Sequence, residues 1–402
     1  MISKAYKVRL YLTKEQEVLV NKTFGCVRLV WNTLLAKNIE GYEESGKSWK
    51  QDYNTTLVKK DFEFMNEVSA ASLQQKGRDL KETYSQWFKS LSGKRKGKKL
   101  GYPRFKKKGV KDSHRLPNQK FKVFQEDNLI QLEKIGRVCC KYPDTLPEDC
   151  KLISVTISKT NCGKYFASIV TQQEVTHLPL TGKKVGLDIG IKDLITLSNG
   201  TVVKNPHFLR ENQSKTKKIQ KHLSRKTRGS VRYNKCKTKL AKIHSKVASQ
   251  REWYLHNVTK ALVKDYDFIS VETLSSEGMK GEIANVNRSI YDTSIYELTR
   301  QLEYKSQWYG KTFTKVDKWF PSSQLCSSCG KQNKEIKNLE IREWVCECGA
   351  KHQRDHNAAI NILKQGFKDM SGESLDYKRG DFINSFNYVK EIDNFIETLT
   401  IL

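Results

Sequence analysis

Three acidic residues stand in apolar surroundings, and wherever they end up the fold must answer for their charge. Asp188 follows Val185-Gly-Leu, Glu272 ends Phe268-Ile-Ser-Val, and Asp355 shortly precedes Asn357-Ala-Ala-Ile-Asn-Ile-Leu. A carboxylate buried without partners is too costly to keep, so each must hold a metal, accept hydrogen bonds or carry a proton. The first two end strand-like runs and the third opens a helix-like one, which predicts an α/β fold that brings separate elements together. Each also has a plainer role open to it. Asp188, like Asp193, could begin a turn; Glu272 could pair with a nearby lysine; Asp355 could cap its helix.

The charge balance indicates the partner. Lys+Arg total 73 against 44 Asp+Glu, a formal net charge of +29 over 402 residues. A chain this basic is expected to meet a polyanion, nucleic acid first. No apolar run approaches the roughly 18 residues of a spanning helix. The first residues, Met1-Ile-Ser-Lys-Ala-Tyr-Lys, lack a signal peptide's apolar core, so no membrane partner and a cytoplasmic location are expected. The length suggests two or three domains.

Residues 4–12 alternate like a half-buried strand, and Thr13-Lys-Glu-Gln16 reads as a capping box opening a helix. A second helical stretch runs from about Ser69 to Leu91. Between Leu91 and Lys122 there are 13 Lys/Arg and one acid, with Gly and Pro, which indicates an exposed loop that grips phosphate. Short strands follow from Phe121 to about Val175, and with strand 4–12 they could close one β-barrel around the helical insert. Strand, turn and strand then run from Val185 to a turn at Asn199-Gly200 and open a second domain. Residues 204–251 hold 16 Lys/Arg and a single acid, Glu211. A solvated helical face is the plain reading, but charge this one-sided repels itself without a polyanion, which favours a nucleic-acid groove. Further elements are a helix near Trp253–Lys264, strand Phe268–Glu272, a helix near Tyr296–Gly310, a strand from Thr312 and a helix at Asn357–Lys364.

Four of the ten cysteines cluster as Cys326-x2-Cys329 and Cys346-x-Cys348, sixteen residues apart. Four thiolates closing on one structural Zn²⁺ explain the pairing, with Gly330 and Gly349 allowing tight turns. The second pair is one residue short of the usual spacing, so His352 could replace Cys348. The other six are scattered, which fits a reduced compartment with one metal knuckle rather than a disulfide framework. For the carboxylates, the chemistry suited to a polyanion is phosphodiester hydrolysis, which two Mg²⁺ about 3.5–4 Å apart promote. Hard cations take a few carboxylates plus water, so Asp188 bridging two ions with Glu272 and Asp355 beside it would suffice, Mn²⁺ being the alternative ion.

In order along the chain stand Val8-Arg-Leu-Tyr-Leu, Val30-Trp-Asn, Gly101-Tyr-Pro-Arg-Phe, Gly186-Leu-Asp-Ile-Gly-Ile-Lys-Asp, Gln301-Leu-Glu-Tyr-Lys, Pro321-Ser-Ser-Gln-Leu-Cys and Arg354-Asp-His-Asn-Ala-Ala-Ile-Asn-Ile. With these motifs the chain resembles the TnpB proteins of bacterial insertion sequences, RNA-guided DNA endonucleases related to the type V CRISPR effectors. The resemblance implies a multidomain α/β architecture. An N-terminal wedge β-barrel (1–13 and 115–180) is interrupted by a helical recognition insert (14–114). An RNase H-like RuvC nuclease domain (181–317 and 351–370) carries a zinc-ribbon insert (318–350), and a C-terminal tail (371–402) has no assigned role.

The resemblance further implies Asp188, Glu272 and Asp355 as the catalytic, Mg²⁺-binding triad and Cys326, Cys329, Cys346 and Cys348 as zinc ligands. The expected partners are a guide RNA from the transposon end and double-stranded target DNA cut beside a short motif. The protein is expected to be a bacterial monomer in its ribonucleoprotein, nucleoid-associated on DNA. Nucleic-acid contacts are expected at Gln74, Arg104, Lys106, Lys107, Lys108, Lys217, Lys218, Lys221, Arg225, Lys226 and Arg228. Two features depart from the family: Gln353 stands where an acid is usual, and the second cysteine pair is shortened. A nuclease-inactive RNA-guided repressor and a DNA transposase are the competing functions. The intact triad argues against the first; the basic chain with its helical insert suits guide holding better than the second.

Overall fold

A computed structural model describes residues 1–46, 50–142, 146–175, 177–274, 294–338 and 340–372. All but the first two residues of the expected C-terminal tail lie outside this range. The chain forms two compact units, residues 1–174 and 175–402. Among the described residues no helix is long and apolar enough to cross a membrane.

The first unit starts with β1 (Ile2–Tyr11), whose alternation turns Tyr6, Val8 and Leu10 inward. Thr13 stops the strand and starts α1 (Lys14–Ser45) through a complete capping box. Its hydroxyl accepts from the Gln16 N–H at 3.2 Å, and the Gln16 side chain accepts from the Thr13 N–H at 3.1 Å. After α2 (Thr55–Asp61), α3 (Ala70–Leu91) packs Leu73, Leu80 and Tyr84 against Val27, Val30, Trp31 and Leu34 of α1.

The basic run then returns along α1. Trp31 Nε1 donates to the Arg104 carbonyl at 3.0 Å, and Asn32 exchanges two hydrogen bonds with the backbone of Lys106. Six strands follow: β2 (Ser113–Pro117), β3 (Phe121–Phe124), β4 (Leu129–Leu132), β5 (Gly136–Lys141), β6 (Lys151–Lys159) and β7 (Tyr165–Gln173). They join β1 in a seven-stranded antiparallel sheet ordered β2-β6-β7-β1-β5-β4-β3. Its two outer strands are consecutive in sequence, joined by Asn118–Lys120, so the sheet curls into a nearly closed barrel. The core of Val8, Leu116, Ile130, Val138, Ile157 and Ile169 is completed by Val20 and Phe24 of α1.

In the second unit β8 (Lys184–Ile189), β9 (Asp193–Leu197) and β10 (Val202–Lys204) form an antiparallel meander. Strand β11 (Phe268–Glu272) pairs parallel with β8, and β12 (Thr312–Val316) parallel with β11. The order is β10-β9-β8-β11-β12. Between β10 and β11 lie α4 (Phe208–Glu211), α5 (Gln213–Ser224) and α6 (Val231–Asp265). The expected helix at Trp253–Lys264 is the end of this 35-residue α6, since no Gly or Pro interrupts it from residue 231 onward.

Helix α6 and α7 (Ile295–Tyr309) cover one face of the sheet, burying Val185, Leu187, Ile269 and Val271. The other face receives α8 (Arg354–Ser371). Just before α8, β13 (Glu343–Val345) and β14 (Lys351–Gln353) make a small hairpin.

Candidate active site and metal knuckle

Period-2 alternation decides which face each acid meets. Val185 and Leu187 face α6, so Gly186 and Asp188 face α8; Ile269 and Val271 likewise leave Ser270 and Glu272 on the α8 side. The parallel register sets Val271 opposite Leu187, which brings Glu272 beside Asp188 at the carboxyl ends of neighbouring strands.

Helix α8 crosses this face at very short range. A Cβ on Gly186 would lie 2.1 Å from the Ala359 carbonyl oxygen and 2.6 Å from the Leu363 nitrogen, so glycine alone admits the helix. From that contact Asp188 lies two residues along the strand, about 6.6 Å. Asp355 lies four residues back along the helix, about 6 Å. The two distances are similar, and Asp355 comes near enough for its charge to raise both the Asp188 and Glu272 carboxyls, although the three sets of oxygens are not gathered within 4.8 Å as the sulfurs below are.

The electrostatics follow from this crowding. Burial raises the Asp188 carboxyl well above its usual range, and the charges of Glu272 and Asp355 raise it further. Burial also pushes Glu272 up; hydrogen bonds from Asp188 and the Ile189 backbone pull it back, and it settles at about 6. The two carboxyls therefore share a hydrogen bond and both resist ionisation more than a free carboxyl does.

Asp355 is not the helix cap. That position belongs to Gln353, whose side-chain oxygen accepts from the His356 N–H at 2.6 Å. Gln353 therefore has a structural role, and Asp355 is spared from capping in the first helical turn, where the helix dipole favours an anion. The Arg342 guanidinium sits 3.4 Å from both Asp355 oxygens. Sequence alone gave no signal for Arg342, an isolated arginine between the cysteine pairs. Carboxylates crowded and short of positive partners have the donor chemistry a hard divalent cation needs.

The cysteines form two matching turns. Gly330 N–H donates to the Cys326 carbonyl and Gly349 N–H to the Cys346 carbonyl, each at 2.8 Å. All four sulfurs lie within 4.8 Å of one another, and no second group of this kind is gathered among the described residues. Cys326–Cys348 and Cys329–Cys346 are 3.7 and 3.6 Å apart. A tetrahedral Zn²⁺ with bonds of about 2.3 Å spaces its sulfurs about 3.8 Å apart, which these two distances match. Cys348 completes the group despite the short spacing. His352 stays outside it, with Nε2 3.1 Å from Cys326 Sγ and its ring 4.7 Å from that of Trp344. Burial raises the Cys326 thiol, but the backbone N–H groups of Cys329 and Ser328 and the His352 side chain outweigh it and bring it to about 6.

The expected nucleic-acid residues lie on surfaces of both units. Gln74 is exposed on α3; Arg104, Lys107 and Lys108 are exposed on the loop pinned to α1, where the Lys106 ammonium lies 3.8 Å from the Trp31 ring centre. Lys217, Lys218 and Lys221 line the exposed side of α5, while Arg225, Lys226 and Arg228 occupy the turn into α6.

A protein from Streptomyces pristinaespiralis named "Putative RNA-guided DNA endonuclease" is 34% identical to this chain over 373 residues, covering 91% of this chain and 90% of its own. The Escherichia coli K12 protein "Putative RNA-guided DNA endonuclease InsQ" is 33% identical over 386 residues, covering 90% and 92%. The chain belongs to the TnpB family. Residues 168–282 match the family described as "Probable transposase" and residues 296–362 the one described as "Cas12f1-like, TNB domain". Asp188 and Glu272 fall in the first segment, Asp355 and all four cysteines in the second. Residues 1–47 match a family described as "Helix-turn-helix domain", although here they form a strand and one long helix. A solved Cas12f1-sgRNA-target DNA complex aligns with a TM-score of 0.47 at 15% identity, covering 90% of this chain and 98% of that one.

Proposed function

We propose that this TnpB chain is an RNA-guided endonuclease that cuts double-stranded DNA at a site built from Asp188, Glu272 and Asp355. The observation that carries this is the convergence of three carboxylates at one end of a sheet, in a chain whose relatives are named as RNA-guided DNA endonucleases. An antiparallel meander leading into two parallel strands supports an RNase H-like, RuvC-type nuclease domain. The barrel, with its helical insert, takes the roles of wedge and recognition domains.

Asp188, Glu272 and Asp355 would hold two Mg²⁺, or Mn²⁺, with Asp188 placed between the others. When bound, these ions supply an activated water and stabilise the leaving oxygen. The chain's part would be to present oxygen ligands from a rigid sheet and helix. The four cysteines would hold one structural Zn²⁺, since protein fills every coordination position. The basic loop near 104–108 and the α5–α6 turn would grip nucleic acid through its backbone, leaving sequence choice to base pairing.

The test is direct: purified protein with its guide should cut matching DNA in Mg²⁺, and Asp188→Ala should bind that DNA without cutting it. Cutting by Asp188→Ala at the normal rate would sink the proposal. The intact carboxylate set gives no support to a repressor that binds without cleaving.

A further inference from the structure

Asn357 and Asn361 belong to the motif that contains Asp355, yet neither side chain takes part in the carboxylate cluster. They lie one helical turn apart on α8 and are buried, at 1% and 6% exposure. Asn357 Nδ2 donates to the Leu325 carbonyl at 2.7 Å, while its oxygen accepts from the Ser327 N–H at 2.9 Å. Asn361 Nδ2 donates to the carbonyls of Ser322 and Leu325 at 2.8 and 2.7 Å. One turn further on, Lys364 reaches the Ser327 carbonyl at 2.8 Å. Residues 325 and 327 flank Cys326, so one face of the helix is laced to the loop that supplies the first zinc ligand.

The hairpin adds a second attachment. Arg354 N–H donates to the Arg342 carbonyl at 2.8 Å, its guanidinium reaches the Asn338 carbonyl at 3.2 Å, and the Arg342 side chain meets Asp355.

We propose that Asn357 and Asn361 are positioning residues of the nuclease site, which lock the rotation of α8 to the cysteine knuckle and so aim Asp355. Buried asparagines could merely satisfy a loop's backbone groups. The packing at Gly186 gives them more to do. That contact fixes how close α8 lies to the sheet, and the Ser270 hydroxyl on the Ile362 carbonyl and His356 Nε2 at the Ser198 carbonyl hold its sheet-facing side, which leaves the side that meets the knuckle loop to the two amides. Side chains stand about 5–6 Å from a helix axis, so a turn of roughly 10° moves the Asp355 carboxylate by about 1 Å. Misplacement of that size can cost about 100-fold in rate. Two amides on one face, each bonded to the knuckle loop, resist that turn. The knuckle's metal is then a support for a catalytic carboxylate as well as for its own hairpins.

This rests on Asp355 as a cation ligand, and the experiment separates the two ideas. Asn357→Ala and Asn361→Ala are made in the full chain with its guide. Zinc per chain, guided DNA binding, Mn²⁺ affinity by electron paramagnetic resonance and the Mg²⁺ dependence of cutting are then measured. Expected are one zinc and normal DNA binding, with Mn²⁺ affinity weakened about 10-fold or more, as for other residues that orient metal ligands. The Mg²⁺ needed for half-maximal cutting should rise in step. Variants that keep zinc, with Mn²⁺ affinity and cutting within twofold of wild type, overturn the proposal. If the variants lose zinc or fold poorly, wild type stripped of zinc and freed of chelator decides: weakened Mn²⁺ binding, restored by zinc, supports the link, and unchanged binding overturns it. Asp188→Ala run alongside should lose Mn²⁺ affinity; if it does not, the carboxylate site itself has been misassigned.

Discussion

The four sulfurs come from two short turns and already stand 3.6–3.7 Å apart across the pairs, whereas the three carboxylates come from two strands and a helix spanning residues 188 to 355. The knuckle is assembled from two local turns that each present a pair of sulfurs. The carboxylates are assembled by the whole sheet and α8, held together against a mutual repulsion that raises the Asp188 and Glu272 carboxyls, with Arg342 beside Asp355. Four protein sulfurs that fill every position suit a structural ion, and crowded carboxylate oxygens suit hard ions that arrive with substrate.

Asp188→Ala should be the harshest break on the carboxylate side. It is expected to lower cutting by about 10³-fold or more, with zinc content and guided DNA binding unchanged by metal analysis and gel shift. Cys326→Ser breaks the other side: zinc should be lost and thermal stability should fall by several degrees in a melting scan. Gly186→Ala tests whether the two sites share α8. Its Cβ meets backbone that cannot yield, so destabilisation of about 1–3 kcal/mol is expected, with cutting strongly reduced while zinc is retained.

The smallest effect has the opposite sign. Glu272 has a raised carboxyl in the folded chain, so folding binds its proton more tightly than the unfolded chain does. The folded state without Mg²⁺ therefore loses stability as pH rises from 4.5 to about 6. Glu272→Gln removes that cost. Its melting temperature without Mg²⁺ at pH 7 should exceed wild type, the gain being at most about 2 kcal/mol, while cutting is lost. Wild-type cutting should also weaken as pH falls below about 6, where a proton competes with the cation.

Much of this was legible because the signals are local. The capping box at Thr13 and Gln16, the strand before it and the cysteine pairs each depend on neighbours a few residues away. Strand β2 was harder to see: Ser113–Pro117 sits in a run of positive charge, and its inward residues are His114 and Leu116 rather than two aliphatics. His114 is buried against Ser72, with burial holding its imidazole neutral at a value of about 3, a contact made across 42 residues. The roles of Gln353, Arg342, Asn357 and Asn361 were hidden too. Arg342, Asn357 and Asn361 are defined by the knuckle lying against α8, a tertiary contact that no spacing rule announces, while Gln353 is a local cap masked by Asp355 two residues on, the commoner capping residue.

Strand β1 has a consequence for how the molecule is made. Its ten residues are made some 155 residues before the strand they pair with, β7, from Leu10 opposite Tyr165 to Ile2 opposite Gln173. At about 5–20 residues per second, β1 waits on the order of ten to thirty seconds for β7, with most of that edge unpaired, since its other neighbour β5 reaches only Arg9–Tyr11. Helices α1 and α3, complete long before then, can bury their shared core in that interval, so the insert is the natural first piece to fold and the barrel closes around what it has already built.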